Sequence, residues 1–372
     1  MKPNGYSRFY NWLVGRLYVQ HGFEEHPALR RAQSILPEVP RTGVADERAI
    51  PEEHRNQRTV YVGRIGGRAV RPCPGTHGHV CCNYRTADLY IGCSLGCSYC
   101  IMKSYLNTAP LTVVPEPERI VEGIRELAAS NPDRRVRVGT GEVGDSLLLD
   151  PLFDLSREIV TGVADLANVE FEMKTKTDFV DHLADVRPKG NAIIGFSLNP
   201  PELQREEEGF SATLDERIDA AHRAVAAGYR VTFHFDPIIA HSKTWWEAYR
   251  DVIGRLAGFP SERIAWVSLG TIRFTPALRE EMEERPYLFD EFVPARDKKH
   301  RYLQRRRTRI YRAMEQELHR LHPELAVYLC MESAAVWKRV YGELPHSVST
   351  VRSLFEPLRE PRGQASGEAR GG

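Results

Sequence analysis

The sequence predicts an α/β fold in which six strand–helix units form a partial barrel. Short apolar runs alternate with segments of helical periodicity from residue 89 onward. The strand candidates alternate apolar and polar side chains, which is expected when one face of each strand lines a polar interior. Six units within about 180 residues fall short of the eight that close a full barrel. An amphipathic mixed sheet with one solvated face is the alternative left open.

The strand candidates come at regular intervals. They are residues 89–92, 136–139, 169–173, 192–198, 229–235 and 264–269. Helix candidates lie between them at 116–129, 151–166, 178–185, 213–227 and 243–256. Because strand, helix and strand repeat in this order, the strands are expected to run parallel. In the fifth strand the polar face would carry Thr232, His234 and Asp236.

The segments on either side of the barrel differ from it in composition. Residues 1–57 mix charges and prolines and predict an N-terminal extension, followed by the barrel at 58–275. Residues 276–358 predict a basic C-terminal α/β extension with a strand candidate at 325–329 and a short helix through Trp337. The Gly- and Arg-rich tail, 359–372, predicts disorder.

Overall composition excludes several classes of protein. The 372 residues are 42% hydrophobic and 27% charged, with a formal net charge of +1. A nucleic-acid role would therefore depend on a local basic patch rather than on net charge. No run approaches the roughly 18 apolar residues of a membrane span, so we expect a cytoplasmic protein without a membrane partner. Six of the seven cysteines lie between Cys73 and Cys100, which favours metal binding in a reducing compartment.

Three cysteines form the most specific motif. Cys93, Cys97 and Cys100 have C-x3-C-x2-C spacing and directly follow the first strand candidate. Three thiolates of one loop hold three irons of a [4Fe-4S] cube and leave the fourth iron open for S-adenosylmethionine. Structural zinc, or an unrelated cysteine-rich loop, is the alternative. For zinc, further ligands stand just upstream, namely Cys73, His77, His79, Cys81 and Cys82.

The cysteine motif resembles the radical S-adenosylmethionine superfamily, and residues 80–345 resemble the spore photoproduct lyase family within it. The matching segments are Gly-Cys-Ser-Leu-Gly-Cys-Ser-Tyr-Cys, Lys174-Thr-Lys176, Val180-Asp-His-Leu183, Gly195-Phe-Ser197-Leu-Asn199, Ala227-Gly-Tyr229, Pro237-Ile-Ile-Ala-His241, Arg273-Phe-Thr275 and Arg301-Tyr302. The resemblance implies a partial radical-SAM barrel and hydrogen abstraction from a modified DNA base. It also implies an electron donor such as flavodoxin or ferredoxin.

The resemblance also implies contacts to S-adenosylmethionine. Gly141 and Glu142 would hold the methionyl amino group, and Lys176 the carboxylate. The ribose would contact Ser197 and Asn199, and the adenine region would contact Tyr99, which also belongs to the catalytic loop. An ion pair of Lys176 with Glu172 or Glu142 is the alternative for that lysine. Asp236 stands where the family has a small residue, and it would pair with Lys176 or bind a polar group.

Four residues align with the DNA-facing surface of the family, and two others depart from its pattern. The aligned residues are Arg273, Arg301, Tyr302 and Arg306. Pairing of the arginines with the acidic segment 280–291 is the alternative to DNA contact. The family's hydrogen-donating cysteine is replaced by Gly139, and a tyrosine after the third cluster cysteine is replaced by Ile101. Cys330 is the candidate substitute donor, with inert packing as the alternative.

These departures leave three functions open. The first is repair-like cleavage of a DNA photoproduct. The second is radical chemistry on another substrate, such as RNA, a peptide or a small molecule. The third is a non-catalytic iron–sulfur or zinc module that binds nucleic acid.

Overall fold

A computed structural model describes residues 9–75, 78–106, 110–282 and 285–355. The tail expected at 359–372 lies outside the described residues, as does His77. The strands, in chain order, are β1 (Arg16–Gln20), β2 (Arg41–Val44), β3 (Thr59–Val62), β4 (Val70–Pro72), β5 (Arg85–Ala87), β6 (Tyr90–Ile91), β7 (Leu111–Val113), β8 (Val136–Thr140), β9 (Val169–Thr175), β10 (Ala192–Ser197), β11 (Arg230–Ile238), β12 (Ile264–Thr271), β13 (Arg273–Phe274), β14 (Phe292–Pro294), β15 (His300–Tyr302) and β16 (Val327–Leu329). The α-helices are Pro27–Ile35, Pro117–Ala129, Asp150–Phe153, Leu155–Gly162, Pro201–Glu207, Leu214–Ala226, Trp245–Gly254, Pro276–Glu281, Gln304–Leu321, Ala334–Tyr341 and Arg352–Phe355.

The main sheet curls into a half-barrel, which confirms the predicted fold class. Its strand order is β16-β12-β11-β10-β9-β8-β5-β4. All neighbours from β16 to β5 are parallel, and only β4 is antiparallel. Helices cover the outer face, and Pro117–Ala129 shows how: its buried residues Ile120, Ile124 and Ala128 recur every four positions on one stripe. The inner face is left to polar side chains.

Five of the six strand predictions are confirmed as β8 to β12, and the first is corrected. Residues 90 and 91 form β6, which pairs antiparallel with β7 in the smaller sheet, while β5 is the barrel strand next to β8. Apolar alternation indicates a strand but does not identify its partner. Two helix predictions change as well. Residues 151–166 are interrupted at Asp154, which has φ +55, and 178–185 contains only a 3-10 turn, Asp181–Leu183.

The smaller sheet supports the cysteine loop. Its order is β2-β1-β3-β7-β6, so β1 and β2 of the N-terminal extension are joined through β3 to the two strands that flank residues 92–110. The sheet thus runs across the expected boundary between residues 57 and 58. The hydroxyl of Ser94 donates to the carbonyl of Gln57 at 2.9 Å, which ties the loop to the extension. Residues 9–13 are helical and lead into β1.

The C-terminal region adds a second antiparallel sheet and one more barrel strand. Strands β13, β15 and β14 form the sheet, in that order. The basic segment, residues 296–312, contains β15 and the first half of the helix Gln304–Leu321, while β16 extends the half-barrel beside β12. Within the described ranges, every helix is too short or too polar to cross a lipid bilayer.

Candidate active site

One cavity of about 360 Å³ lies at the carboxyl ends of the barrel strands. Most of the residues predicted for the site line it. They are Cys93, Cys97, Tyr99, Cys100, Gly141, Glu142, Lys176, Ser197, Asp236, Arg273 and Cys330. Asn199, Arg301, Tyr302 and Arg306 are not among the lining residues. The half-barrel therefore brings the predicted cluster and cofactor residues together, and it separates most of the predicted DNA contacts from them.

The cysteine loop is held in a tight conformation by its backbone. Gly96 has φ +73, a region that side chains disfavour. The amide of Ser98 donates to the carbonyl of Glu207 at 2.8 Å, and the amide of Phe210 donates to the carbonyl of Leu95 at 2.8 Å. These contacts attach the loop to the segment that follows β10. The loop can thus present three thiols to one cavity without help from a disulfide.

The thiols of the loop fit an iron–sulfur cluster. All seven cysteines of the chain are free. Burial raises the pKa of Cys93 well above its usual value and that of Cys97 to about 12, with the positive charge of Lys176 opposing the shift at Cys97. Buried thiols need a nearby metal cation to become thiolates. Three soft ligands facing one cavity match a [4Fe-4S] cluster with one open iron.

A zinc site made from the upstream cysteines finds no support in the geometry. Among the described residues, only Asp150, Asp154 and His182 form a group of three ligands within 4.8 Å of one another, the spacing that a single metal ion requires, whereas the thiolates of a [4Fe-4S] cluster bind different irons. That group is already internally bonded, since His182 Nε2 lies 2.6 Å from Asp150 Oδ2. Cys73 and Cys82 do not belong to any such group.

Glu208 organises the cofactor side of the cavity, and sequence reasoning missed it. Its buried carboxylate accepts hydrogen bonds from Tyr99, Asn199 (2.7 Å) and Arg217, and lies 3.6 Å from the ammonium of Lys176. Although burial opposes ionisation, the charges of Lys176 and Arg217 lower the pKa of Glu208 to about 2. Lys176 thus pairs with neither Glu172 nor Glu142. Glu208 ends a run of three glutamates, a pattern typical of a solvated helix end, so local sequence patterns do not mark it as a site residue.

Asn199 has a different place from the one predicted. It is fully buried, and its amide donates to Tyr99 Oη at 3.2 Å while its carbonyl accepts from Tyr249 Oη at 2.9 Å. It therefore orients Tyr99 from behind, whereas Ser197 faces the cavity. Residues two apart share a face only within a strand, so Asn199 need not face the cavity as Ser197 does. β10 ends at Ser197.

Glu172, Lys174 and Lys176 lie at three successive depths of the barrel lumen, along β9 and just beyond its carboxyl end. Glu172 lies deepest and accepts hydrogen bonds from Tyr84 Oη (2.5 Å), Thr232 Oγ1 (2.5 Å) and His234 Nε2 (2.8 Å). Lys174 follows, and Lys176 lies nearest the cysteine loop. Burial would raise the pKa of Glu172, but the neighbouring His234 and the charge of Lys174 outweigh it and lower that pKa to about 2.

The far wall of the cavity combines an ion pair with a thiol. Arg273 donates to both carboxylate oxygens of Asp236, at 2.8 and 3.1 Å. Asp236 therefore pairs with Arg273 rather than with Lys176. Cys330 follows β16, and its amide donates to the carbonyl of Leu269 at 2.8 Å. Burial raises the pKa of Cys330 well above its usual value, so that its sulfur keeps the hydrogen.

The predicted DNA contacts of the C-terminal region are engaged within the protein. The side chain of Arg301 is 2% exposed and donates to both oxygens of Asp297, at 2.5 and 2.7 Å. Tyr302 is completely buried. Arg306 donates to Asp290 at 3.0 Å and lies over the ring of Tyr302, which supports the alternative of pairing with the acidic segment. These residues pack the small antiparallel sheet against the barrel.

Comparisons with known proteins agree with the fold and the cysteine loop. A family model described as spore photoproduct lyase matches residues 81–327. The spore photoproduct lyase of Bacillus subtilis is 27% identical over 175 residues, which are 46% of this chain and 50% of the relative. The lyase of a Geobacillus strain is 24% identical over 203 residues, 53% of this chain and 59% of the relative. The chain thus matches little more than half the length of these curated relatives.

Solved structures extend the similarity over more of the chain. A spore photoproduct lyase variant with bound AdoMet and dinucleoside spore photoproduct has a TM-score of 0.73 at 18% identity, covering 85% of this chain and 98% of that one. The lyase complexed with dinucleoside spore photoproduct has a TM-score of 0.72 over the same shares. The half-barrel with its three-cysteine loop defines an enzyme of the radical S-adenosylmethionine class. Within that class, the chain belongs to the spore photoproduct lyase family, whose model covers more than half of it.

Proposed function

We propose that the protein is a radical S-adenosylmethionine enzyme that abstracts a hydrogen atom from a covalently modified pyrimidine in DNA and cleaves the modification. One observation carries this proposal. The three cluster thiols and the thiol of Cys330 line the same cavity, so a substrate there lies between the radical source and a hydrogen donor. The dinucleoside photoproduct bound by the solved relatives is a substrate of the required class.

The chain's own residues would hold the cofactors. Cys93, Cys97 and Cys100 would bind a [4Fe-4S] cluster, which together with S-adenosylmethionine supplies a carbon radical. Glu142 would accept from the methionyl ammonium, and Lys176, oriented by Glu208, would donate to the carboxylate. Further around the cavity, Ser197 would bind the ribose, and Tyr99 would lie beside the adenine.

Cys330 would return a hydrogen atom to the substrate radical. In this step the S–H bond of Cys330 breaks, a C–H bond forms on the substrate and a thiyl radical remains. One electron from a flavodoxin or ferredoxin and one proton then restore the thiol. Its high pKa favours this role, because only the protonated sulfur carries the hydrogen atom.

The test is formation of 5'-deoxyadenosine by the anaerobically reconstituted, reduced protein, with ultraviolet-irradiated or unirradiated DNA. We expect product in the wild type, stimulation by irradiated DNA and loss of product in Cys97→Ala. Cys81→Ala is the control, because Cys81 is exposed and does not line the cavity. Absence of product from protein with an intact cluster would instead favour the non-catalytic module.

A second candidate keeps the radical chemistry and changes the substrate to RNA, a peptide or a small molecule. The burial of Arg301 and Tyr302 favours it, since neither side chain is presented to a duplex. This second candidate would be favoured if 5'-deoxyadenosine formation requires Cys97 but is not stimulated by irradiated DNA.

A further inference from the structure

Among the charged side chains that line the cavity and are at least partly buried, all but two have a partner. Arg273 pairs with Asp236 and Lys176 with Glu208, Glu172 accepts a hydrogen bond from His234, and Asp145 accepts hydrogen bonds from Thr175 and backbone amides. Within the described ranges, the partly buried side chains of Lys174 and Glu142 form no ion pair within 4.0 Å and no hydrogen bond, although both line the cavity. The charged atoms of the two side chains therefore lie more than 4.0 Å apart and make no direct contact. A cavity built in this way has one anionic and one cationic group left for ligands.

Lys174 remains charged in this environment. Burial disfavours the ammonium, but the negative charges of Glu172 and Glu142 outweigh it and raise the pKa of Lys174 above its usual value. The ammonium lies over the ring of Tyr84, with Nζ 5.4 Å from the ring centroid. The hydroxyl of Tyr84 is already donated to Glu172. An ammonium carries three donors and no acceptor, so its missing partner is an oxygen.

The position of Lys174 along β9 separates it from the cofactor residues. Lys176 lies at the cysteine-loop end, with Nζ 5.8 Å from the ring centroid of Tyr99, and its charge acts on Cys97. Lys174 is two residues deeper, about 6.6 Å along the chain, and both side chains line the cavity. Its charge interacts with Cys330 and Cys73 instead. Lys174 therefore lies at the end of the lumen that contains Cys330, the candidate hydrogen donor.

We propose that Lys174 is a substrate-binding residue that donates to a ring carbonyl oxygen of the modified pyrimidine and fixes it beside Cys330. The assignment rests on the proposed function and names a contact for its substrate. Glu142 takes the ammonium of S-adenosylmethionine, and Lys174 takes the oxygen of the second ligand. Both unpaired charges of the cavity are then satisfied when both ligands are bound.

The experiment measures binding of dinucleoside spore photoproduct and, separately, of S-adenosylmethionine to reconstituted wild type, Lys174→Met and Lys174→Gln. Loss of one hydrogen bond to a charged group is expected to weaken photoproduct binding by roughly 10- to 100-fold in Lys174→Met. Lys174→Gln keeps a neutral N–H donor, so its affinity for the photoproduct should lie between those of the wild type and Lys174→Met. Binding of S-adenosylmethionine should be unchanged. Lys103→Met, an exposed lysine at the rim of the same cavity, is the matched control.

The outcomes separate this contact from the proposed function. Unchanged photoproduct binding in Lys174→Met, or weaker binding of S-adenosylmethionine instead, would overturn the substrate contact and leave the proposed function intact. Failure of the wild type to bind the photoproduct would overturn the proposed substrate and the contact with it. Thermal unfolding of the reconstituted variants provides a further readout. Removal of a cation that forms no ion pair should lower the melting temperature only slightly, and a large decrease would make Lys174 a structural residue.

Discussion

A Cβ atom on Gly139 would lie 1.9 Å from the hydroxyl oxygen of Tyr84. The tyrosine therefore occupies the space that a side chain at residue 139 would need, and its hydroxyl is fixed there by Glu172. The glycine that departs from the family pattern is a packing partner of Tyr84 and not an empty position. A cysteine reintroduced at 139 cannot reach the cavity unless Tyr84 moves.

The first prediction concerns this pair. We expect Gly139→Cys to destabilise the protein by about 1–3 kcal/mol, the usual cost of overpacking a core. In a Tyr84→Ala background the additional cost of Gly139→Cys should be smaller, because the contact with the tyrosine is gone and the contact with the Glu172 carbonyl, at 2.7 Å, remains. Urea unfolding of the two single variants and the double variant measures the coupling. Gly254→Ala is the control, since a Cβ there meets nothing within 4 Å. Strictly additive effects would show that Tyr84 does not limit residue 139.

The second prediction tests Cys330 as the hydrogen donor. Thiol hydrogens exchange with solvent, so in D₂O the wild type should place one deuterium in the repaired product. Cys330→Ala should lower the yield of that product at least about tenfold while 5'-deoxyadenosine still forms, because abstraction precedes the return step. Mass spectrometry of the product measures both quantities. Cys73→Ala, which removes a thiol outside the cavity lining, is expected to behave as wild type. Full deuterium incorporation by Cys330→Ala would assign the donor elsewhere.

The third prediction uses pH to test Glu208. Its pKa is about 2 in the folded protein and roughly 4.3 in an unfolded chain, so its ionised form stabilises the fold by roughly 3 kcal/mol at neutral pH. Because the folded pKa is the lower one, this contribution is present above pH 4.3 and disappears as pH falls toward 2. The difference in unfolding free energy between wild type and Glu208→Gln should therefore shrink as pH falls from 5 to 3. Glu206→Gln, at an exposed neighbour, should show no such trend.

The sequence was sufficient for the barrel and the cluster loop because both depend on local patterns. Period-two alternation identified β8 to β12, and cysteine spacing identified the loop. The partners of charged groups depend on packing between distant segments, which local patterns do not record. Glu208 reaches Tyr99 across more than one hundred residues, and the alternation of β9 placed Lys174 on the polar face without showing that it is unpaired. Arg301 looked like a surface residue because its partner, Asp297, was the single acid in a basic run.

The last prediction separates structural from DNA-contacting arginines. Arg301→Met leaves Asp297 as an unpaired, nearly buried carboxylate, so we expect a loss of about 3–5 kcal/mol in stability. Arg305→Gln changes an exposed residue of the same basic segment and should leave stability within about 0.5 kcal/mol of wild type. If DNA binds this surface, Arg305→Gln should weaken binding and reduce its salt dependence by about one ion. Urea unfolding and DNA titrations at several salt concentrations measure the two effects. Equal stability of both variants would contradict the structural role of Arg301, and unchanged DNA binding in Arg305→Gln would place the nucleic-acid surface elsewhere.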